Sequence, residues 1–408
     1  MWIELSSSAA LEVERVGAKT AGVARLYQAG LPVPRGWCLP VVAEPAADLT
    51  LDVSDDAWRR PLALLRARVA SLPPSAELRA AVDALCAAED GPLVVRSSAV
   101  GEGASLSGLL TSFLGVQGPE PLLNAIQACW LSRWSDNVVR YALGRGLDLQ
   151  QLRVGVLVQP LVLAQAAGGA RSQAGRVTIE ATWGLGRGLA EGEVVPDVWR
   201  VEDGLVREVR PGDKRLRVDL DADGGERWRQ VPTDEASRLC LDEATVLELT
   251  GLVQTAEHAF GEPIDVEWTV DRRRQVWLVQ ARSSPRAALD VPDTGATPGA
   301  GCLEGLPASP GTAVGRARVV QREDDLHDLG SGDVLVADVL RPGALAGAPL
   351  PAALVLEAGG TTSHAATLAR ERGIPAVFGV RGATRLISTG AEVLVDGHVG
   401  RVVRLASK

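Results

Sequence analysis

The sequence predicts a multidomain protein that combines the α/β and α+β classes. Its 408 residues exceed the size of an ordinary single domain, and a hydrophobic fraction of 46% is enough for more than one core. Residues 283–300, SSPRAALDVPDTGATPGA, are rich in small residues and proline and lack apolar periodicity. This segment is the best linker candidate, and it separates residues 1–282 from residues 301–408.

Residues 1–282 alternate between two periodicities. Helix-like runs at 62–71 and 76–88 occur among short β-rich runs, which are LVVRSS, VGVLVQPLVL, RVTIEA, IDVEWTV and QVWLVQA. Residues 301–408 contain the strand-like runs DVLVA and AALVLE, a helix at 363–372 closed by Gly373, and a hairpin around Asp396 and Gly397. We therefore expect an α/β or α+β first region and a compact β-rich second region with a few helices.

Composition excludes several classes of partner. A formal net charge of −9 argues against a nucleic-acid or anionic-membrane surface. The N-terminal residues contain early acids and no apolar core, unlike a signal peptide. The weakly charged run at 154–170 contains polar residues and glycines, so it predicts a buried strand and a loop. Five cysteines without a CxxC pair indicate reduced thiols, and we expect a cytoplasmic protein.

Two segments of the first region suit phosphate binding. Lys19 lies two residues after Gly17 at the predicted start of an amphipathic helix, where it is either a phosphate ligand or a solvated surface lysine. Arg96 ends the apolar run LVV and precedes a Ser- and Gly-rich loop that contains Glu102. Such a loop is either a polyphosphate cradle or an ordinary exposed loop.

A predicted hairpin gathers oxygen ligands on one face. Strand alternation places Asp265 and Glu267 of PIDVEWTV on the same side. If DRRRQ is the turn and residue 270 pairs with residue 277, Glu267 faces Gln280 and Asp265 faces Arg282. A carboxylate and an amide oxygen suit Mg²⁺, and an arginine beside them suits phosphate. The alternative is the polar outer face of an edge hairpin.

His364 lies in the first turn of its predicted helix, behind Gly359 and Gly360. No histidine or cysteine stands at metal-ligand spacing from it. The positive end of the helix dipole favours a neutral imidazole and welcomes an attached phosphoryl group. Thr362 or Ser363 can cap the helix or donate a hydrogen bond to phosphate. These arguments leave a phosphoryl-carrying histidine and a structural histidine both open.

The motifs together resemble a known family. GGTTSHAATLARERGIPAVFGV resembles the phosphohistidine segment of the phosphoenolpyruvate-utilising dikinases, which include phosphoenolpyruvate synthase, pyruvate phosphate dikinase and rifampicin phosphotransferase. GLPASPGTAVGRARVV and GAEVLVDGHVGRVVRL are similar to the segments that precede and follow it. Four places of the first region are similar to the family's ATP-grasp-type nucleotide domain: Lys19 with LPVPRGW, then VVRSSAVGE, LVQPLV and DVEW…LVQAR.

The resemblance implies a two-lobed ATP-grasp-type ATP-binding domain at 1–282, a linker at 283–300 and a phosphohistidine swivelling domain at 301–408. It implies a dikinase-like phosphotransferase whose cofactors are ATP and Mg²⁺, and whose His364 takes the β-phosphoryl group and leaves AMP. The resemblance assigns phosphate or nucleotide binding to Lys19, Arg96, Glu102 and Arg282, and places Gln159 and Leu161 at the border of the adenine. It assigns Mg²⁺ binding to Glu267 and Gln280. It assigns catalysis to His364, Arg96 and Arg282, and a supporting role around the histidine to Gly359, Gly360, Thr362 and Ser363.

The chain departs from the family pattern at several positions. Gly103 follows Glu102 where Asp is usual, Arg187 replaces the glutamate of GLGE, and Asn137 replaces an arginine. The segment after Val162 is short and polar, where the family has a strand. Because the sequence ends at Lys408, we expect the phosphoryl acceptor to be a small molecule or to be bound by a separate acceptor-site protein. The alternatives are an ATP-grasp ligase or condensing enzyme of a biosynthetic pathway, and a degenerate regulatory subunit.

Overall fold

A computed structural model describes residues 1–44, 58–100, 109–221, 224–284, 302–341, 344–345 and 349–405. The chain divides into two compact units. Unit 1 comprises Met1–Gln165, Asp219–Trp228 and Leu252–Ser283, and unit 2 comprises Ala166–Val218, Arg229–Gly251 and Ser284–Lys408. The predicted linker lies almost wholly outside the described residues, so its role, and the domain boundaries on either side of it, stay predictions.

Helices and strands follow one another through the described residues. The first are β1 (Ile3–Glu4), α1 (Val13–Val16), α2 (Ala18–Gln28), β2 (Trp37–Leu39), α3 (Arg59–Ala70), α4 (Ala76–Ala88), β3 (Leu93–Ala99), β4 (Ser112–Val116), α5 (Pro119–Ser132), α6 (Asp136–Arg145) and β5 (Val154–Pro160). Next are β6 (Ala164–Gln173), β7 (Arg176–Trp183), α7 (Arg187–Ala190), β8 (Asp197–Glu202), β9 (Leu205–Arg210), β10 (Leu216–Leu220), β11 (Glu226–Gln230), α8 (Thr233–Ala236), α9 (Glu243–Phe260), β12 (Ile264–Asp271) and β13 (Val276–Ser283).

The remaining elements are β14 (Cys302–Glu304), β15 (Leu306–Ser309), β16 (Thr312–Val320), β17 (Asp333–Ala337), β18 (Ala353–Leu356), α10 (His364–Arg372), β19 (Ala376–Phe378), α11 (Ala383–Leu386), β20 (Glu392–Asp396) and β21 (Arg401–Arg404). Among the helices that the structure describes, none combines the length and the apolar composition that crossing a bilayer requires.

Unit 1 contains a five-stranded sheet in the order β1-β2-β5-β3-β4. Its core joins helix and strand residues in one buried cluster, among them Leu62, Val82 and Ile126 of the helices and Val95 and Val156 of the strands. Burying a side chain of this kind contributes about 1.5–3 kcal/mol. This packing fixes the position of β3, the strand on which Arg96 lies.

The two helices predicted in unit 1 are confirmed as α3 and α4. Ser75 caps α4, because its hydroxyl accepts a hydrogen bond from the Leu78 amide at 3.1 Å. Helix α3 begins at Arg59, three residues before the predicted start at residue 62. Leu62, Leu65 and Val69 share its buried face, which is the helical spacing on which the prediction rested.

Unit 2 contains two groups of paired strands. In the first, β6, β7, β8 and β9 form an antiparallel meander in chain order. In the second, eight strands have the order β14-β21-β20-β16-β17-β18-β19-β15, and β16 to β19 run parallel. Leu335 and Ala337 of β17 point into one buried cluster and Val334 and Val336 into another, so both faces of the sheet are covered.

Most predicted strands of residues 301–408 are confirmed, whereas the loop predicted after Val162 in the first region is wrong. DVLVA and AALVLE form β17 and β18, and Asp396 pairs with Arg401 in the predicted hairpin of β20 and β21. The expected loop after Val162 is instead mostly strand, because Ala164–Gln173 form β6. Small side chains such as Ala166 and Ala170 carry little hydrophobic signal, yet both are buried.

Candidate functional site

The start of α2 lies close against β3 in unit 1. Gly17 has φ of +80°, and a Cβ atom there would lie 2.1 Å from the Ser98 carbonyl oxygen, so only glycine fits. The Thr20 amide donates to the Ser98 hydroxyl at 3.0 Å. Lys19 Nζ donates to the Ser97 carbonyl oxygen at 3.2 Å. The structure therefore places the Lys19 ammonium beside the strand that carries Arg96.

Arg96 contacts two predicted Mg²⁺ ligands. Its Nη1 donates to Gln280 Oε1 at 3.1 Å and to Glu267 Oε2 at 3.3 Å. The Arg96 side chain is 15% exposed, whereas that of Glu267 is 46% exposed, so the ion pair itself is screened by water. Arg96 Nε is buried without a hydrogen-bond partner in the described structure. We call Arg96, Glu267 and Gln280 the Arg96 cluster.

The hairpin of β12 and β13 pairs the predicted site residues. Glu267 is opposite Gln280 and Asp265 is opposite Arg282, as strand alternation predicts. Arg282 Nη2 lies 3.5 Å from Asp265 Oδ2, and both side chains are largely buried. The face that carries the Arg96 cluster therefore also carries a second arginine, which Asp265 orients.

The predicted pairing of residue 270 with residue 277 is wrong. Val270 pairs with Val276, because a β-bulge follows Glu267 and leaves Val279 without a residue of its own on β12. The prediction assumed a regular ladder, and alternation cannot show an inserted residue. Only the turn end of the hairpin is affected.

The two oxygen-bearing side chains of the Arg96 cluster are of a type that can bind a magnesium ion. Mg²⁺ takes hard oxygen ligands and usually completes its shell with water and substrate phosphates, so it needs few protein ligands. Glu267 and Gln280 offer one carboxylate and one amide oxygen on neighbouring strands. Within the described residues no group of three or more His, Cys, Asp and Glu side chains could hold a metal by itself.

Other predicted nucleotide contacts have local partners. The Gln159 side chain is buried, and its Nε2 donates to the Pro34 carbonyl oxygen at 2.9 Å. The Leu161 amide donates to the Pro92 carbonyl oxygen at 2.8 Å. Their role at an adenine border stays a prediction. Glu102 and Gly103 lie outside the described residues.

His364 begins α10 in unit 2. The N-cap is Ser363, whose hydroxyl accepts from the Ala366 amide at 3.3 Å and donates to the Gly360 carbonyl oxygen at 2.8 Å. Gly373 ends the helix, as predicted, and its backbone is in the left-handed conformation. The predicted start at residue 363 differs by one residue because Ser363 is the cap. The Nδ1 atom of His364 is buried.

The turn before His364 is bound to a carboxylate that sequence reasoning missed. Glu180 of β7 accepts hydrogen bonds from the Thr361 amide at 2.5 Å and from the Thr362 amide at 2.9 Å. It also accepts one from the Thr362 hydroxyl at 2.5 Å. The available signal was a single charged residue inside the apolar run VTIEATW. Its partners lie some 180 residues away, beyond any local pattern.

The positions that depart from the family pattern also have defined surroundings. Arg187 begins α7, and its Nε donates to Glu191 Oε1 at 2.7 Å. Asn137 is the second residue of α6. Arg133, which lies near it, is fully buried and pairs with Glu44 at 2.8 Å.

Two family descriptions match the chain. "Pyruvate phosphate dikinase, AMP/ATP-binding domain" matches residues 69–291, and "PEP-utilising enzyme, mobile domain" matches residues 329–400. The first range contains the Arg96 cluster and the second contains His364. These matches, together with the mixed α/β sheets, confirm a multidomain α/β and α+β chain in which an AMP/ATP-binding domain precedes a PEP-utilising enzyme mobile domain. The ATP-grasp type of the first domain and the phosphohistidine of the second stay predictions.

Curated relatives agree with these matches. The chain is 28% identical to a probable phosphoenolpyruvate synthase of Methanothermobacter thermautotrophicus, over 96% of this chain and 61% of the relative. It is 30% identical to one of Archaeoglobus fulgidus, over 96% of this chain and 56% of the relative. The chain thus spans 56 to 61% of the length of these two relatives.

A solved structure of an L-amino acid ligase from Bacillus licheniformis is 13% identical, over 68% of this chain and 45% of that one, with a TM-score of 0.28. A likeness this distant adds nothing to the assignment, which rests on the family matches. Because the match over residues 69–291 covers more than half of the 408 residues, the chain belongs to the pyruvate phosphate dikinase AMP/ATP-binding domain family.

Proposed function

We propose that this chain is an ATP-dependent phosphotransferase that phosphorylates its own His364 and passes the phosphoryl group to an acceptor. One observation carries the proposal. The AMP/ATP-binding match contains a face with arginines and oxygen ligands, and the mobile-domain match contains a histidine at the start of a helix. A candidate donor site and a candidate carrier residue in one chain support the proposal.

Each residue of the nucleotide site has a separate task. Lys19, Arg96 and Arg282 bind the phosphates of ATP, because they present cationic donors around β3 and the β12–β13 hairpin. Glu267 and Gln280 hold Mg²⁺, which neutralises phosphate charge when it is bound. In the protein as described, Arg96 supplies the positive charge at these two oxygens.

The carrier step uses the Nε2 lone pair of a neutral His364. Nε2 forms a bond to the β-phosphorus of ATP, and the bond from that phosphorus to the α–β bridging oxygen breaks, so that AMP leaves with the electron pair. The histidine then carries both the β- and the γ-phosphoryl groups. Where water is the co-substrate, its oxygen attacks the γ-phosphorus, the bond from that phosphorus to the β–γ bridging oxygen breaks with its electron pair on that oxygen, and orthophosphate is released. The sum is ATP, water and histidine giving phosphohistidine, AMP, orthophosphate and a proton.

The acceptor is a small molecule, or it is bound by a separate acceptor-site protein. The two relatives described above are named phosphoenolpyruvate synthases, and that name favours a small carboxylic acid as the acceptor class. A cytoplasmic location stays a prediction from the sequence.

Labelled ATP tests the proposal. We expect acid-labile label on the wild-type protein from β-labelled ATP and little from γ-labelled ATP, because only the β-phosphoryl group is retained. His364→Ala should carry none. His258→Ala, which changes an exposed histidine of α9, is the matched control and should be labelled like the wild type.

Absence of acid-labile label on the wild type, or equal label on His364→Ala, would contradict the proposal. ATP-dependent formation of a joined product without label would favour the ligase alternative. Absence of ATP binding by calorimetry would favour a regulatory subunit.

A further inference from the structure

Glu180 holds the turn that leads into His364. The side chain is fully buried on β7 of unit 2, yet it accepts hydrogen bonds from two backbone amides and one hydroxyl of that turn. Buried carboxylates are costly unless their charge is compensated. Within the described residues no arginine or lysine forms an ion pair with Glu180, so the donors of Thr361 and Thr362 compensate it.

The fit between β6, β7 and this turn is also steric. A Cβ atom on Gly169 of β6 would lie 2.6 Å from Thr362 Cβ. A Cβ atom on Gly360 would lie 2.6 Å from Glu180 Oε2. Two glycines, one on each side, therefore allow the turn to approach the carboxylate closely.

A phosphoryl group on His364 changes the electrostatics of this contact. It adds a charge of about −1.5 to −2 at pH 7. That charge would arise two residues from Thr362, whose amide and hydroxyl both bind Glu180. Two anions then lie close to one small set of donors in a partly buried setting, where their repulsion is less screened than between exposed charges.

We propose that Glu180 is a positioning residue for His364. Glu180 binds the 360–362 turn in the unphosphorylated protein and releases this turn when the histidine carries a phosphoryl group. This inference rests on the proposed function. Glu180 touches neither ATP nor the transferred group in this account. The Glu180 carboxylate stabilises the unphosphorylated form of His364 and thereby lowers the ratio of phosphorylated to unphosphorylated His364.

Two variants weaken the contact by different means. Glu180→Gln removes the charge at nearly constant volume. Gly169→Ala leaves the charge in place and pushes Thr362 away. The matched controls are Glu202→Gln, a half-exposed glutamate on the neighbouring strand β8, and Gly251→Ala, which meets no neighbour within 4 Å.

The first measurement is the ratio of phosphorylated to unphosphorylated His364 in the full chain, at fixed concentrations of ATP, AMP and orthophosphate. Both variants should raise this ratio at least about fivefold, the lower end of typical coupling between two sites. Both controls should match the wild type. A residue that only supported the fold would lower the ratio when changed.

The second measurement is hydrogen exchange of the Thr361 and Thr362 amides in the wild type, before and after treatment with ATP and Mg²⁺. It needs no variant that could fail to fold. We expect faster exchange after phosphorylation and no change in His364→Ala. In Glu180→Gln, exchange should already be fast before ATP is added.

The outcomes separate this inference from the proposed function. No acid-labile label on the wild type would overturn both. Label on the wild type, with a ratio unchanged or lowered in folded Glu180→Gln and Gly169→Ala, would overturn the inference alone. Exchange at Thr361 and Thr362 that is unchanged or slower after phosphorylation would also overturn it alone.

Discussion

Arg96 brings a positive charge to the oxygen atoms of two side chains on the β12–β13 hairpin. Its Nη1 donates to both Glu267 and Gln280. The guanidinium is mostly buried, so its hydrogen bonds to these oxygens order them before any ligand arrives. At the scale of single residues the site is thus held together by the side chain that we propose as a phosphate ligand.

Glu267→Gln tests this arrangement. The substitution keeps an oxygen but removes the carboxylate charge, so we expect the Mg²⁺ concentration for half-maximal labelling of His364 to rise at least about tenfold. The free energy of unfolding should change by less than about 0.5 kcal/mol, because the side chain is half exposed.

Glu262→Gln is the matched control, since Glu262 is exposed and lies just before β12. Its Mg²⁺ dependence should equal that of the wild type. An unchanged Mg²⁺ dependence in Glu267→Gln would remove Glu267 from the proposed metal site.

The sequence predicted the shared face of the β12–β13 hairpin because that geometry is local, whereas the approach of Arg96 from 171 and 184 residues away is not. Asp265, Glu267, Gln280 and Arg282 belong to one hairpin, where alternation decides which side chains share a face. The helix of His364 was predictable for the same reason, because its cap and its closing glycine are neighbours in sequence. Glu180 was not, since nothing near it in the chain indicates the turn that it binds.

At the scale of elements, a buried ion pair joins α5 to strand β5. Arg133, the C-cap residue of α5, donates to Glu44 at 2.8 Å, and the Val154 amide donates to the other oxygen of Glu44 at 3.2 Å. The Arg133 guanidinium also stacks 4.2 Å from the ring centre of Trp134. Burial raises the pKa of the Glu44 carboxyl, and Arg133 opposes that rise.

Arg133→Met should therefore destabilise unit 1 strongly, because it leaves the Glu44 carboxylate buried without its partner. We expect a loss of about 3–5 kcal/mol at pH 8, measured by urea unfolding. The loss should shrink as the pH falls through the pKa of folded Glu44. That pKa lies above its unfolded value, so the folded state of the variant then gains stability by taking up a proton.

Arg68→Met is the matched control, since Arg68 is exposed on α3. It should unfold like the wild type at both pH values. A loss in Arg133→Met that stayed constant or grew toward acid would contradict the assignment of the effect to Glu44.

The elements that could not be predicted share a physical cause. Strand β6 contains Ala and Gly at buried positions, so it lacks the apolar signal that marks β3 or β12. These small residues are used for close approach, as at Gly169 beside Thr362. A hydrophobic pattern predicts the burial of large apolar side chains, and it gives no signal at positions where a small residue is buried to allow close approach.

At the scale of the whole molecule, the reactivity of the cysteines reports whether unit 1 is folded. Burial raises the pKa of the Cys38 and Cys129 thiols to about 12, and both side chains are fully buried in unit 1. Compared with an ordinary thiol, the thiolate fraction at pH 8 falls about 1,000-fold. Cys86 and Cys302 are partly exposed.

Alkylation with iodoacetamide at pH 8 should therefore modify Cys86 and Cys302 first and leave Cys38 and Cys129 intact until urea unfolds unit 1. Mass spectrometry of peptides at increasing urea concentration measures this order. The partly exposed pair is the internal reference. Modification of Cys38 in native protein at the rate of Cys86 would contradict the packing described for unit 1.

The bulge in β13 has a consequence for sequence alignment. Leu278 packs in the interior and Gln280 lies beside Glu267, although residues two apart in a regular strand share a face. A chain without Val279 would form an ordinary ladder with the same partners on either side. A one-residue gap at this point, in the middle of a strand, would therefore preserve the site, and relatives that carry such a gap should not be discounted as having lost their oxygen ligand.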